Sequence, residues 1–298
     1  MLHINSLPFK SDESSYGEQP GAFTRARPIG QWLCQLNKLQ PPHVEQILAY
    51  QRQHGGRFGE VAIALGLATE DQILEVLAKQ FEYPYVRFGD SGINAELVCV
   101  CDPFGEDAQS FRELRSELLT GVLDRATPRA LAVLSPETGD GRSYVAANLA
   151  VAFAQLGGRT LLIDADMRTP RLHRLFGIDG TVGLSKLLCG GVREVVQQVP
   201  VPSLFLLSAG PPPPNPLELL QRSTFSKLFR EWLTRFDFVI VDTPAGSYGP
   251  DARVIAAAAG AALALARPQV TRIAQLQRML SAIEKSPAAL AGVVMNEH

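Results

Sequence analysis

Pro136-Glu137-Thr138-Gly139-Asp140-Gly141-Arg142-Ser143 lies between a short apolar run, Ala130–Leu134, and a segment with a helical pattern, Ser143–Leu156. The octapeptide occupies the place of a GxxxxGK[ST] phosphate loop, in which glycines let the backbone wrap a phosphate and the following helix N-terminus favours the anion. It departs from that pattern because Pro136 replaces the first glycine and Arg142 replaces the lysine. Taken alone, the octapeptide is better explained as an ordinary glycine-rich turn.

Acidic residues follow two other apolar runs that are predicted to be strands. Asp164 and Asp166 follow Thr160–Ile163, and Asp242 follows Phe238–Val241 in a Walker B pattern. Carboxylates just beyond strand ends are suitable ligands for a magnesium ion beside a triphosphate. A helix-capping role explains any one of these aspartates, but it does not explain three suitable strand ends in order. Together they favour a phosphate-binding loop at residues 136–143.

Strand and helix patterns alternate through residues 129–298. Further strands are predicted at Leu204–Leu207, Ala262–Ala266 and Gly292–Met295, and further helices at Thr224–Thr234 and Arg272–Glu284. Apolar strands separated by helices predict an α/β fold with a mostly parallel, doubly wound P-loop sheet. In such a sheet the ligand lies at the carboxyl ends of the strands, where the polar residues are found here.

The N-terminal part of the chain contains an internal duplication. Pro28-Ile29-Gly30 corresponds to Arg57-Phe58-Gly59, and Val44 corresponds to Ile73, each at the same offset of 29 residues. Thr69 is predicted to cap a helix that follows it. The pattern predicts a small, mainly helical tandem-repeat domain over residues 27–88. A disordered tail is expected at residues 1–26, and a linker with a helix at residues 89–128.

Composition excludes several classes of protein. The formal net charge of −2 argues against a protein that coats a nucleic-acid polymer. Cys34, Cys99, Cys101 and Cys189 show no zinc-ligand spacing, which is typical of reduced cytosolic thiols. The longest apolar run, Val254–Ala266, is shorter than the roughly 20 residues that a membrane-spanning helix needs. We therefore expect a cytoplasmic protein with no direct membrane insertion.

With these features in place, residues 105–298 resemble the bacterial tyrosine kinases of polysaccharide export (BY-kinases), which are relatives of the MinD/ParA ATPases. The resemblance rests on four segments, which are Ser143-Tyr144-Val145-Ala146-Ala147-Asn148-Leu149-Ala150, Asp164-Ala165-Asp166-Met167-Arg168-Thr169-Pro170 (Walker A′), Pro214-Asn215-Pro216-Leu217-Glu218-Leu219-Leu220 and Asp242-Thr243-Pro244. It implies that ATP and Mg²⁺ are the cofactors and that the reaction is phosphoryl transfer to tyrosine.

The resemblance also implies roles for individual residues. The expected catalytic residues are Asp164, Asp166 and Asp242, and the expected magnesium ligands are Ser143, Asp164 and Asp242. The residues expected to contact the nucleotide are Thr138, Gly139, Asp140, Gly141, Arg142, Ser143, Tyr144 and Arg168. Arg112 and Arg115 resemble the family's ExxRxxR oligomer-contact motif, with Gln109 in place of its glutamate, and so indicate self-association.

Two departures from the family pattern concern catalysis. Arg142 stands where the family has the lysine that contacts the phosphates, and a planar guanidinium fork does not replace a compact ammonium charge. Losing one well-placed phosphate donor costs about 3–4 kcal/mol in the transition state, on the order of 10²–10³ in rate. The last tyrosine of the sequence is Tyr248, so the family's C-terminal tyrosine cluster has no counterpart. We expect nucleotide binding to persist and phosphoryl transfer to be impaired.

The duplicated region resembles the MshE N-terminal domain, a tandem module of secretion ATPases and some polysaccharide kinases that can bind cyclic di-GMP. Its motif, RLGxxLxxxGLIxxxxLxxALxxQ, is matched best from Arg57 to Gln80. The resemblance implies a cyclic di-GMP site at Arg57, Gly59, Gly66 and Gly30. The alternative is a helical docking module that no longer binds this ligand.

Three functions remain open at this point. The leading hypothesis is an ATP- and magnesium-binding BY-kinase-like protein that works with an inner-membrane, Wzz-like chain-length determinant in exopolysaccharide production. Such a protein is cytoplasmic and is recruited to the inner membrane by its partner. The second is a non-catalytic regulatory subunit that responds to nucleotide and cyclic di-GMP. The third is a MinD/ParA-like positioning ATPase, disfavoured because Glu137 stands where that group has its signature lysine.

Overall fold

A computed structural model describes residues 28–36, 38–81, 92–124, 128–191 and 195–297. The tail predicted at residues 1–26 lies outside these ranges, as do residues 89–91 and 125–127 of the segment predicted to be a linker with a helix. In the described ranges, no helix is both long and apolar enough to span a bilayer.

A seven-stranded sheet forms the centre of the larger unit. Its strands are β1 (Ala130–Leu134), β2 (Thr160–Asp164), β3 (Val196–Gln198), β4 (Leu204–Leu207), β5 (Phe238–Asp242), β6 (Gly260–Ala266) and β7 (Ala289–Met295). They are arranged in the order β3-β4-β2-β5-β1-β6-β7, and every pair is parallel except β3 with β4. The predicted α/β class and mostly parallel sheet are confirmed.

Helices cover both faces of this sheet. They are α5 (Val98–Cys101), α6 (Glu106–Thr120), α7 (Arg142–Ala154), α8 (Leu172–Leu175), α9 (Leu184–Leu188), α10 (Pro216–Leu220), α11 (Ser223–Arg235), α12 (Asp251–Ala259) and α13 (Ile273–Glu284). Alternate residues of β1 belong to different cores: Leu131 and Val133 pack on the α7 side, and Ala130, Ala132 and Leu134 pack on the α12 side. The sheet is therefore doubly wound, as apolar strands without polar alternation predict.

Helix α6 is part of this unit, because Phe111 and Leu118 on α6 belong to the same core as α7. Asn148 joins the preceding segment to α7. It accepts a hydrogen bond from the backbone N–H of Cys99 and donates one to the carbonyl oxygen of Glu96. The helix predicted within residues 89–128 thus packs directly on the sheet domain.

Several boundaries differ from the prediction for identifiable reasons. Strand β3 has no apolar signal, since Gln197 and Gln198 make up most of its length and it pairs at the sheet edge. Strand β6 begins at Gly260, two residues earlier than predicted, because that glycine ends α12 in a left-handed conformation and enters the strand at once. Strand β7 begins at Ala289, ahead of the predicted Gly292, and its pairing with β6 contains a register shift.

The smaller unit contains α1 (Ile29–Gln35), α2 (Pro41–His54), α3 (Phe58–Ala64) and α4 (Glu70–Phe81) around its own apolar core. The start of α3 follows that of α1, and the start of α4 follows that of α2, at the offset seen in the sequence. Thr69 caps α4, because its hydroxyl accepts a hydrogen bond from the Gln72 backbone N–H at 3.3 Å. The duplication is therefore structural as well as sequential.

Candidate functional site

The glycine loop at residues 136–143 leads directly from β1 into α7. Gly139 and Gly141 have φ values of +88° and +95°, a conformation that side-chain-bearing residues rarely adopt. Gly141 is the N-cap of α7. Among the described residues, no acceptor is bonded to the backbone N–H groups of residues 138–143. A helix N-terminus preceded by a run of unpaired N–H groups is suited to bind phosphate.

Asp140 is buried inside the loop and has a structural role there. Its carboxylate accepts a hydrogen bond from the Glu137 backbone N–H at 2.9 Å and another from the Thr271 hydroxyl at 3.0 Å. The side-chain amide of Asn296 donates to the Asp140 carbonyl oxygen at 2.9 Å. Neither Thr271 nor Asn296 has a local sequence signal, since they lie 131 and 156 positions from Asp140. Residues that follow β6 and β7 in the chain therefore hold the loop in place.

The guanidinium of Arg142, which is expected to contact the phosphates, is bonded to protein groups in this structure. It is buried, its Nε donates to the Thr243 carbonyl oxygen at 2.8 Å, and its Nη1 donates to the Glu137 carbonyl oxygen at 2.6 Å. The same Nη1 also donates to the Ser135 hydroxyl. The guanidinium therefore ties the beginning of the loop to the segment after β5. The predicted contact between Arg142 and the phosphates stays a prediction.

The predicted acidic residues meet at one edge of the sheet. Asp164 and Asp242 are register partners at the carboxyl ends of the neighbouring strands β2 and β5. Burial, and next the charge of Asp242, raise the pKa of Asp164 well above its ordinary value. Burial raises the pKa of Asp242 to about 7, with Asp166 adding to the rise while the Ser143 hydroxyl and the Arg142 guanidinium oppose it.

Asp164 and Asp166 already accept hydrogen bonds from the loop that follows β2. The Asp164 carboxylate accepts from the backbone N–H groups of Asp166, Arg171 and Leu172 at 3.1–3.2 Å. Asp166 accepts from the Arg168 and Thr169 backbone N–H groups and from the Thr169 hydroxyl at 2.7–3.0 Å. These two carboxylates therefore shape the Walker A′ loop. Their predicted catalytic roles remain predictions.

Asp242 differs from both. Both of its carboxylate oxygens are buried, and neither accepts a well-formed hydrogen bond from any described residue. A buried carboxylate without such a partner is costly, and a cation supplied with a ligand relieves that cost. Because the Ser143 hydroxyl lies close enough to Asp242 to influence its pKa, the pair has the oxygen chemistry that Mg²⁺ prefers.

The described residues contain no cluster of three or more histidine, cysteine, aspartate or glutamate side chains arranged to hold a metal ion. This agrees with the usual way in which Mg²⁺ is bound beside nucleotides, through one or two carboxylates together with substrate phosphates and water. Ser143 and Asp242 fit such a site, and Asp164 lies beside them on the neighbouring strand.

Two other predicted nucleotide contacts have their side chains engaged elsewhere. Arg168 forms an ion pair with the buried Asp251, with 2.7 Å between Nε and Oδ2, and its guanidinium lies 5.8 Å from the Tyr248 ring centroid. The Tyr144 ring packs edge-on against Phe111 of α6, with 5.7 Å between centroids. Thr138 is exposed at the loop tip and available to a ligand.

The arginines of the predicted oligomer-contact motif form contacts within the chain. Arg112 donates from Nε to the Gln109 side-chain oxygen at 3.0 Å and from Nη1 to the Pro103 carbonyl oxygen at 2.7 Å. Arg115 donates to the Ala152 carbonyl oxygen of α7 at 2.5 Å. Both side chains therefore help to attach α6 to the sheet domain.

Packing explains two of the residues predicted to bind cyclic di-GMP. A Cβ atom on Gly59 would lie 2.9 Å from the Ile73 side chain, and one on Gly30 would lie 3.1 Å from the Val44 side chain. These are corresponding contacts in the two repeats, so both glycines allow helices to approach closely. Gly66 has a φ of +67° with open space around it, and Arg57 is exposed at the start of α3.

Comparison with known proteins places this architecture among P-loop NTPases. A ParA family model, described as an NUBPL iron-transfer P-loop NTPase, matches residues 127–298. The tyrosine-protein kinase YwqD of Bacillus subtilis is 32% identical over 208 residues, covering 69% of this chain and 87% of YwqD. The tyrosine-protein kinase CpsD of Streptococcus agalactiae is 31% identical over 172 residues, covering 57% of this chain and 75% of CpsD. The crystal structure of the chimerical protein CapA2B2 aligns with a TM-score of 0.64 and 29% identity, covering 75% of this chain and 98% of that one.

Proposed function

Because this chain belongs to the ParA family of P-loop NTPases and to its tyrosine-kinase group, we propose that it binds ATP and Mg²⁺ and regulates exopolysaccharide production. The observation that carries the proposal is the placement of Asp242. Its buried carboxylate lies beside Ser143 and accepts no well-formed hydrogen bond from the described residues. It is also close to the unpaired N–H groups of residues 138–143. A nucleotide phosphate and its magnesium ion satisfy both groups at once.

Each part of the site has a distinct task in this proposal. The backbone N–H groups of residues 138–143 and the N-terminus of α7 bind the phosphates, and Thr138 closes the exposed side. Ser143 and Asp242 hold Mg²⁺, which when bound neutralises charge on the phosphate oxygens. Asp164 and Asp166 keep the Walker A′ loop in place, and in this proposal Asp166 is the residue that accepts the proton of the tyrosine hydroxyl.

We place this activity in a polysaccharide-export setting. The proposed partner is an inner-membrane, Wzz-like chain-length determinant that recruits the cytoplasmic chain, and the regulated processes are exopolysaccharide biosynthesis, export and chain length. Self-association is part of the proposal, because Arg112 and Arg115 resemble the family's oligomer-contact motif. Neither a nucleic-acid polymer nor direct insertion into a membrane is part of the proposal.

A non-catalytic regulatory subunit is the second candidate, and the orientation of Arg142 favours it. The guanidinium donates to Ser135, Glu137 and Thr243, so the charge that the family places on the phosphates is held inside the loop. Backbone donors and Mg²⁺ suffice for nucleotide binding, whereas phosphoryl transfer needs charge placed where it develops in the transition state. The conformation of such a subunit would change with nucleotide occupancy, and its partner would recognise that conformation.

We expect Arg142→Lys to increase phosphotyrosine formation on an added tyrosine-bearing protein by about 10²–10³, because an ammonium can reach the phosphates from this position. The measurement uses labelled ATP with Mg²⁺ and the purified proteins, together with nucleotide affinity from a fluorescent ATP analogue. Arg230→Lys, an exposed position on α11, is the matched control and should change neither quantity.

The outcome separates the two candidates. Phosphotyrosine formed by the native protein would exclude the non-catalytic subunit. Nucleotide binding without any phosphotyrosine in the native protein, with activity appearing only in the lysine variant, would exclude the kinase. Loss of nucleotide binding in the native protein would exclude both.

Cyclic di-GMP binding by the tandem repeat is a separate proposal that Arg57 and Gly66 support. Arg57 offers an exposed cation at the start of α3, and Gly66 leaves open space beside the turn after that helix. Calorimetric titration should give heat in the micromolar range that Arg57→Ala removes and Arg52→Ala, an exposed change on α2, retains. Absence of heat with the native protein would leave the repeat as a docking module.

A positioning ATPase of the MinD/ParA kind is a third candidate with less support. Glu137 replaces that group's signature lysine, and its side chain accepts a hydrogen bond from the Gln275 amide of α13. An acidic side chain held against the neighbouring helix cannot supply a cation to a nucleotide.

A further inference from the structure

A groove of about 960 Å³ runs between α12 and α13, outside the phosphate loop. Arg253, Val254 and Ala257 form one wall, and Gln277, Arg278 and Lys285 are among the residues of the other. The groove is open to solvent, and Val254, Ala257 and Ala282 are among its lining residues. It is therefore accessible to an extended chain.

The charge of this groove has one sign. Its lining includes Arg253, Arg278 and Lys285 and contains no carboxylate. Within the described part of the chain, Arg253 and Lys285 have no hydrogen bond or ion pair, and Arg278 bonds only to the Ala274 carbonyl oxygen of its own helix. The acid at the start of α12, Asp251, is buried and paired with Arg168 on the other side. Three exposed cations therefore face the groove without compensation.

The groove continues toward the phosphate loop. A second cavity of about 470 Å³ shares Arg253 and Arg278 with it and reaches Pro136, Glu137 and Ser247. The Ser247 backbone N–H donates to the Pro136 carbonyl oxygen at 2.8 Å, so this end lies directly against the loop. From Ala274 to Lys285 the helix rises about 16 Å, the length of about five extended residues at about 3.3 Å each.

We propose that the α12–α13 groove binds an acidic, tyrosine-bearing peptide segment and directs it toward the nucleotide site. The inference rests on the proposed function, because it names the class of protein substrate that this site receives. Carboxylates on either side of the tyrosine pair with Arg253, Arg278 and Lys285, and the aromatic ring lies toward Pro136 and Ser247. The occupant that we assign to the groove is a segment of a partner protein.

A peptide fits this surface better than an anionic membrane does. The cations line a concave groove between two helices, whereas a flat lipid surface contacts protruding side chains. The groove also leads to the phosphate loop, which gives a direction to a linear chain but not to a lipid headgroup. An interaction of this kind weakens with ionic strength because the cations are exposed.

The test measures binding of a fluorescein-labelled peptide with one tyrosine between two runs of three glutamates, by fluorescence anisotropy at low and high salt. We expect Arg253→Glu with Arg278→Glu to weaken binding by at least about tenfold, since like charges then face each other. Lys227→Glu with Arg230→Glu, exposed on α11, makes the same charge change outside the groove and should retain native affinity. Affinity for a fluorescent ATP analogue should be native in both variants.

Peptide binding that only the groove variant loses supports the proposal. Three results would overturn it: no peptide binding by a native protein that binds the ATP analogue, equal loss in both double variants, or equal affinity for a peptide with lysines in place of the glutamates. Binding to phosphatidylglycerol vesicles that the groove variant alone loses, without peptide binding, would also overturn it in favour of a membrane surface. Failure of the ATP analogue to bind the native protein contradicts the proposed function instead, while charge-specific peptide binding would still support the groove.

Discussion

Asp242→Asn should remove the magnesium dependence of ATP binding and, without ligands at pH 8, make the sheet domain more stable than the native one. Burial raises the pKa of Asp242 to about 7, whereas an aspartate in an unfolded chain titrates near pH 3.9. Between these values the native state holds a proton that the unfolded state has released. The unfolding free energy therefore falls as the pH rises from about 4 to about 7, and the whole penalty is present above that range.

Asparagine has nearly the same shape and does not titrate, so the variant should lack the part of this decrease that Asp242 contributes, while buried Asp164, whose pKa is also raised, keeps its own part. At about 1.4 kcal/mol for each pKa unit, the difference between variant and native protein at pH 8 should be up to about 4 kcal/mol, and it should vanish near pH 4. Urea unfolding at pH 5 and pH 8 measures it. A Trp32→Phe background leaves Trp232, which is buried in the sheet domain, to report on that domain.

The same substitution, which should stabilise the ligand-free protein, should reduce the stabilisation that Mg²⁺ and ATP provide. Adding Mg²⁺ and ATP should stabilise the native protein, because they bind only the folded state and satisfy the Asp242 carboxylate. The variant should gain much less, and its affinity for the ATP analogue should be the same with and without Mg²⁺. Glu284→Gln, an exposed change at the end of α13, controls for loss of one charge. Magnesium-dependent binding by Asp242→Asn would show that another residue holds the metal.

Gly141→Ala should abolish nucleotide binding and destabilise the sheet domain by about 2–5 kcal/mol. A Cβ atom at this position would lie 2.0 Å from the Asn296 side-chain nitrogen, which supports the loop by donating to the Asp140 carbonyl oxygen. The left-handed backbone costs about 1–2 kcal/mol for a residue with a Cβ, and a broken buried hydrogen bond costs about 1–3 kcal/mol more.

Gly139→Ala separates the cost of the left-handed backbone from the cost of the contact with Asn296. Gly139 has a similar φ of +88°, but a Cβ atom there meets nothing within 4 Å. That variant should therefore lose only about 1–2 kcal/mol and keep measurable nucleotide affinity. Thermal unfolding and ATP-analogue titration measure both effects, and Asn296→Ala in the Gly141→Ala background should recover part of the stability. If the two glycine variants behave alike, contact with Asn296 does not hold the loop in place.

Much of this architecture can be predicted locally. The apolar runs that become β1, β2, β4 and β5 were expected within one residue of their observed bounds, because strands buried on both faces have no polar alternation to obscure them. The phosphate loop and the acids at strand ends come directly after apolar runs in the sequence, so local patterns predict them. Strand β3 could not be predicted, since its glutamines pair only because β4 offers an open edge.

The division of roles within the site depends on contacts that no local pattern encodes. Glycine conformation, strand burial and helix initiation depend on neighbours along the chain, and sequence therefore sufficed for the P-loop fold, the duplication and the position of the acidic edge. Tertiary structure alone turned Arg142 inward toward Thr243, a residue 101 positions away, and brought Asn296 beneath Asp140. It also left Asp242 without a well-formed hydrogen bond, whereas Asp164 and Asp166 accept several from the loop after β2. Hydrogen bonding and burial are properties of the assembled sheet, because parallel strands distant in sequence end side by side at the same edge.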